Sequence, residues 1–240
     1  GFTSPANFPP PTYGFTGNTV TEPGFLLGKK LFYDGRLSRD GSISCASCHI
    51  SFSAFSHVDH SVSHGIDDRL GTRNAPAVQN MAWERFFFWD GGVFDLDLFS
   101  INPIQNHDEM DDTIPNVIAK LKADPEYVRQ FKAAFGTEEV TPTRMFQALS
   151  QFMCMLVSND SKYDKVLKGT ASFTSAESLG KTAFEQKCAS CHSGILFTDR
   201  TFKNNGLSLT ADLGRGRVTL NPNDEHCFKV PSLRNIAKTY

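Results

Sequence analysis

No apolar run in this 240-residue chain is long enough to span a bilayer; the longest, Phe146 to Val157, is interrupted by Gln147, Ser150 and Gln151. Excess charge is also lacking. Twenty-four basic and 26 acidic residues leave a net charge of −2, with no basic stripe or Lys/Arg cluster, so nothing favours a nucleic-acid partner. No run of alternating apolar and polar residues supports a sheet. Gly1 is preceded by no charged leader or apolar signal core, so any export signal is expected to lie upstream and to have been removed. A lipid anchor upstream stays compatible with that reading, and so does a homodimer. Tryptophan is scarce, with two copies, whereas phenylalanine has 21. Such an excess fits a Phe-rich core or aromatic walls around a flat apolar cofactor.

Residues 1–20 are rich in Pro, Gly, Thr and Asn, including Pro9-Pro10-Pro11, and read as a flexible N-terminal tail. Helical signals begin at Thr21-Glu22-Pro23 and run through Phe32. Residues 34–110 are Gly-, Asp- and Ser-rich and only weakly periodic, a long loop of the kind that persists when a function or a ligand clamps it. Periodicity returns with Ile114, Val117, Ile118 and Leu121. Asp124-Pro125 opens a helix closing at Gly136, and Thr141-Pro142 opens another with Met145, Leu149, Phe152, Met153 and Leu156 on one side, a stripe that reads as core. Gly169 to Thr174 reads as a linker, and Thr174 with Glu177 as the capping box of a further helix.

Four of the six cysteines occur in two copies of one pattern, Cys45-Ala46-Ser47-Cys48-His49 and Cys188-Ala189-Ser190-Cys191-His192. Cys-x-x-Cys-His attaches c-type haem. The two thiols add to the two porphyrin vinyl groups, and the histidine that follows ligates the iron from below. The rival readings account for less. A thioredoxin-like motif needs a βαβ context that is missing, a structural zinc site would have to unite two distant pairs, and two disulfides leave both histidines unexplained. Two covalent haems c are therefore expected, held by Cys45, Cys48 and His49 and by Cys188, Cys191 and His192. Such attachment takes place outside the cytoplasm, so a periplasmic or extracellular site follows, the periplasm being the expected one. Cys154 reads as a small buried hydrophobe and Cys227 as a loop residue; a disulfide between them stays open. The expected fold is mostly α, with two cytochrome-c-like haem domains, 21–165 and 166–240, joined by long loops.

Further segments sharpen this reading. Leu27 to Phe32, Leu37-Ser38-Arg39-Asp40-Gly41, Gly71 to Pro76, Phe88-Trp89-Asp90-Gly91 and Val230 to Asn235 resemble, in the same order, the bacterial di-haem cytochrome c peroxidase family, which includes the methylamine-utilisation protein G branch. The resemblance implies a peroxidatic N-terminal haem and an electron-accepting C-terminal haem. It implies hydrogen peroxide as substrate and a small cytochrome c or cupredoxin as electron donor. His64 is similar to the distal histidine that blocks the first haem at rest, and a flanking Gly65 suggests a loop able to swing; His57 and His60 are alternatives. Trp89 resembles the relay between the haems, or is a core aromatic beside Phe86, Phe87 and Phe88. Glu109 resembles the acid/base of the peroxide pocket, with Asp108 as alternative. Asn74 and Thr239 match positions at an interdomain calcium site.

The chain also departs from the family pattern. Gly92 stands where an arginine is usual, which puts a propionate contact in doubt, and His107 and Asp108 replace a proline and an apolar residue. The sequence stops at Tyr240, ahead of the segment that carries the sixth ligand of the second haem, so the C-terminal unit reads as truncated and that ligand as unassigned. Two rival functions stay open: oxidative modification of a partner protein, as in the methylamine-utilisation branch, and plain electron carriage.

Overall fold

A computed structural model describes residues 1–207 and 210–239. In chain order its helices are α1 (Glu22–Tyr33), α2 (Cys45–Cys48), α3 (Leu96–Phe99), α4 (Ile101–Gln105), α5 (Ile114–Lys122), α6 (Pro125–Phe135), α7 (Pro142–Cys154), α8 (Lys162–Leu167), α9 (Ser175–Lys187) and α10 (Gly216–Thr219). Two short strands, β1 (Phe202–Lys203) and β2 (Phe228–Lys229), pair antiparallel with Phe202 opposite Lys229. The described residues are thus mostly helical with little sheet, as the sequence led us to expect.

The helix starts follow from capping chemistry. Thr21, Thr113, Asp124, Thr141 and Thr174 sit in extended backbone, and each side chain accepts a hydrogen bond from the first turn it precedes. Proline in the first turn of α1, α5, α6 and α7 costs no backbone bond there. α6 ends at Gly136, whose φ of +75° closes the helix. α8 has its own capping box, Ser161 with Asp164, which the low apolar content of that stretch hides in the sequence.

The core lies in the first two thirds of the chain. α1 and α7 cross with Leu27, Leu31 and Phe32 against Met145, Leu149 and Phe152, all buried, and Tyr127 and Phe131 of α6 complete the cluster. Gly24 and Gly28 make the crossing close: a β-carbon at Gly28 would run into the Ala148 carbonyl, and one at Gly24 into the Gln151 side chain. The α7 methionine stripe and Cys154 are core, as expected, and Cys154 and Cys227 are both free thiols.

One expectation is corrected. Residues 1–20 are irregular, but they are packed rather than loose. Phe8 is buried, Phe2 stacks on Phe15 at 4.4 Å, and the fully buried Trp83 donates its indole N–H to the Pro9 carbonyl at 2.7 Å. The segment extends over the core because its aromatic side chains find apolar partners, which its Pro- and Gly-rich composition masks.

The C-terminal part is joined to the rest by Leu196, which packs into the same apolar cluster, and by ion pairs. Arg234 and Asp164, 2% and 0% exposed, pair at 2.7 Å, and Arg234 also donates to the carbonyls of Ser158 and Ile195. Lys229 pairs with Glu84 at 2.9 Å. Arg73 reaches both Asp90 at 2.8 Å and Asp212 at 2.7 Å.

Candidate functional site

Cys45 and Cys48 form the single turn α2, capped by Ser44 and Ser47, and His49 ends it. Burial pushes the Cys45 thiol up to about 12, raises Cys48 as well, and pushes the His49 imidazole down to about 4, so all three are neutral at pH 7. His49 Nδ1 lies 3.0 Å from the Phe55 carbonyl. With its proton directed there, the ring presents the Nε2 lone pair for coordination. Phe55 is held by a φ of +59°, and its carbonyl also accepts the Val78 N–H at 3.0 Å.

The second motif repeats this frame. His192 Nδ1 lies 3.2 Å from the Phe197 carbonyl and 3.1 Å from that of Pro231. Phe197 has a φ of +52°, and Leu233 N donates to its carbonyl at 3.3 Å. The segments after the two motifs match as well: Pro76 is followed four residues on by Asn80 and Pro231 by Asn235, and both asparagines are left-handed, with φ +54° and +60°. Two free thiols beside a carbonyl-oriented histidine, built twice, are the donor set that thioether-linked haem needs. This internal repeat, with Leu27-Gly28-Lys29 echoed by Leu179-Gly180-Lys181, was readable in the sequence and would have marked Pro76 and Pro231 in advance.

Around the first motif lie two adjoining cavities. A small one of about 50 Å³ is lined by Cys45, Cys48, His49, His64, Phe32, Phe99, Met153 and Glu109. A larger one of about 380 Å³ shares Cys48, His49, Phe99 and Glu109 and adds Arg73, Asn74, Trp89, Asp90, Asp108 and Arg217. A third, of about 500 Å³, lies against the C-terminal unit and is lined by His57, Asp59, His60, Asn74, Trp89, Pro231 to Arg234 and Thr239.

These walls sort the candidate residues. His64 lines the cavity that holds the first motif, while His57 and His60 line the third cavity, their rings stacked at 4.4 Å. His57 is half-buried, and its Nδ1 has no partner among the described residues. Glu109 accepts from Asn106 Nδ2 at 2.8 Å, and burial raises its carboxyl above the usual range, with the Asp108 charge adding to the rise. Asp108 lines only the larger cavity and is tied to His107 at 2.9 Å. Trp89 lines both larger cavities, its indole donates to the Asn74 carbonyl at 2.8 Å, and its carbonyl accepts the Lys229 N–H of β2 at 2.7 Å. Asn74 and Thr239 share the third cavity, and the Asn74 amide donates to the carbonyls of His57 and His60.

Gly65 has a different purpose from the one its flexibility suggests. Its backbone is extended, with φ −108°, and a β-carbon there would strike the Asp108 carbonyl and Glu109. The next N–H, of Ile66, donates to the Glu109 carbonyl at 2.8 Å. Gly65 therefore couples the backbone of His64 to that of Glu109.

Comparison with known proteins gives this arrangement its kinship. The family model for di-haem cytochrome c peroxidase matches residues 22–172. The chain is 38% identical to the methylamine utilization protein MauG of Methylorubrum extorquens, over 98% of its own length and 67% of that protein. It is 37% identical to the cytochrome c551 peroxidase of Nitrosomonas europaea, over 89% of its length and 66% of that protein. The chain thus spans about two thirds of each relative. Among solved structures, a MauG-like protein associated with microbial copper homeostasis superposes with a TM-score of 0.90 at 32% identity, covering 100% of this chain and 76% of that one. No helix among the described residues is long and apolar enough to cross a membrane. On these grounds the chain belongs to the di-haem cytochrome c peroxidase family, a family of haem oxidoreductases.

Proposed function

We propose that this chain carries the reaction centre of an exported peroxidase that reduces hydrogen peroxide to two waters, consuming two electrons and two protons. Residues 21–165 form the peroxidatic unit and 166–240 the electron-accepting unit. When bound through Cys45, Cys48 and His49 and through Cys188, Cys191 and His192, two haems c would supply the iron chemistry that cleaves the O–O bond and stores the electrons. The observation that carries the reading is Glu109, a half-buried carboxyl whose partial desolvation raises it above the usual range, on the wall shared by both cavities at Cys48 and His49.

The residues divide the work. Cleaving the peroxide bond requires a proton to move from one oxygen to the departing one. A carboxyl whose charged form is disfavoured by burial can take and return that proton, a contribution of about 10²–10⁴-fold. Asn106 fixes the Glu109 oxygen it donates to. His64, on the same wall, blocks the site at rest and withdraws on activation. Trp89 carries electrons between the units, which its place on the walls of both larger cavities supports. The donor is a small cytochrome c or cupredoxin. A calcium ion held through Asn74 and Thr239 would order the loop carrying His57, His60 and His64.

A second reading has its own support, since relatives named MauG match as well as those named peroxidase. In it the same centre oxidises side chains of a partner protein. Glu109→Gln should lower peroxide turnover with reduced cytochrome c by about 10²–10⁴-fold while leaving both haem spectra nearly unchanged. Undiminished turnover would overturn the assignment of Glu109. Rapid peroxide consumption without steady cytochrome c oxidation would favour the protein-modifying reading.

A further inference from the structure

We propose that Arg217, carried by α10 of the C-terminal unit, is a haem-carboxylate-binding residue of the N-terminal unit's cavity, so that the first haem site is completed by the second unit. This assignment rests on the reading of Cys45, Cys48 and His49 as a haem attachment site.

A porphyrin attached by thioethers is polarised across its plane. One edge carries the thioether carbons, and another carries two propionate carboxylates. The cavities around the first motif are polarised in the same sense. The small compartment holds Cys45, and its lining has no Lys or Arg. The larger compartment, which lacks Cys45, contains two guanidinium groups, Arg73 and Arg217, among acidic side chains of Asp90, Asp108 and Glu109. Two propionates added to that acidic wall need cationic partners that still have donors to offer.

Arg73 has few left. Its Nε and Nη2 bond to Asp212 at 2.7 Å each, and its Nη1 to Asp90 at 2.8 Å. Arg217 is engaged only through Nη2, to Asp90 Oδ2 at 2.9 Å, among the described residues. Its side chain is otherwise 68% exposed at the cavity mouth. Nor is its position that of a free surface arginine. Asp90, 5% exposed, anchors Arg73 and Arg217 together. Arg215, at the start of α10, donates to the carbonyls of Asp90 and Gly91 at 3.0 and 2.8 Å, and its guanidinium lies 4.4 Å from the centre of the Phe202 ring. Gly91, at φ +68°, leaves room for that ring, which a β-carbon there would strike. Gly92 presents no side chain to the mouth, and Val218 Cγ2 lies 3.7 Å from where its β-carbon would stand. The space beside residue 92 is therefore covered by α10, which brings Arg217 with it.

The test is a redox titration of the two-haem holoprotein, following each haem by its own spectrum. Removing a cation beside a haem disfavours the more negative, reduced state. Arg217→Gln should lower the reduction equilibrium of the N-terminal haem about tenfold, close to 59 mV for one electron. The C-terminal haem should stay where it is, and Arg217→Lys should recover most of the shift. A haem content of two with an unmoved N-terminal potential, or an equal shift in both haems, would overturn the role of Arg217 alone. A pyridine haemochrome count below two in the unmutated protein would instead remove the haem reading, and this assignment with it.

Discussion

The two Cys-x-x-Cys-His units share a local frame and differ in what surrounds it. In the first, the Leu27-Gly28-Lys29 helix is pressed onto α7 and the histidine sits above a continuous apolar core. In the second, the matching helix α9 has no buried residue, and Leu179 is 73% exposed. Beyond the apolar seating of Leu196, the second unit is held by ion pairs: Arg234 on Asp164, Lys229 on Glu84, and Arg73 on Asp212. The same donor set can thus be held by packing or by ion pairs, and the two modes respond differently to mutation and pH.

The largest effect should come from the buried pair. Arg234→Met leaves the Asp164 carboxylate, 0% exposed, without its partner and should cost about 3–5 kcal/mol in denaturant unfolding. Replacing Asp164 by Leu in the same chain should recover much of that loss. If the single variant unfolds like the parent, the second unit is not anchored there.

The echoed glycines offer a sharper contrast. Gly28→Ala forces a β-carbon into the Ala148 carbonyl and should destabilise by about 1–3 kcal/mol. Gly180→Ala meets nothing within 4 Å and should stabilise by about 0.5–1 kcal/mol through helix propensity alone. Equal effects at the two positions would show that the helices are equally packed in solution.

Acid should expose the smallest difference. The Arg73 guanidinium holds Asp212 at about 2, below its ordinary 3.8. A depressed carboxyl contributes stability that is fully present above the unfolded value and is lost as pH falls through the folded one. The parent should therefore lose stability between about pH 4 and pH 2, and Asp212→Asn should lose less over that window, read as the midpoint of thermal unfolding at each pH.

Much of the helical frame was legible, because caps are local chemistry: Thr21, Asp124, Thr141 and Thr174 announce their helices within four residues. The loop of residues 34–110 was legible only as a loop. Its order depends on contacts such as Val78 N to Phe55 O and Asn80 N to Leu156 O, which leave no periodic trace. The two Cys-x-x-Cys-His motifs stand out in the sequence, but the distal candidates could not be ranked by distance along the chain. His57 and His60 are nearer the motif than His64, yet they line another cavity, with the His60 ring 4.6 Å from that of His64. Arg217 was invisible for the same reason, since only the tertiary seating of α10 brings it to the first motif.

The Phe55 carbonyl carries one more consequence. Many ligating histidines donate their second N–H to a carboxylate, which gives the ring partial anionic character and strengthens its donation to iron. Here the acceptor is a neutral peptide oxygen, so an iron bound at Nε2 would receive only ordinary imidazole donation. On the proposed reading, cleavage of the peroxide bond would then depend the more on the proton that Glu109 holds.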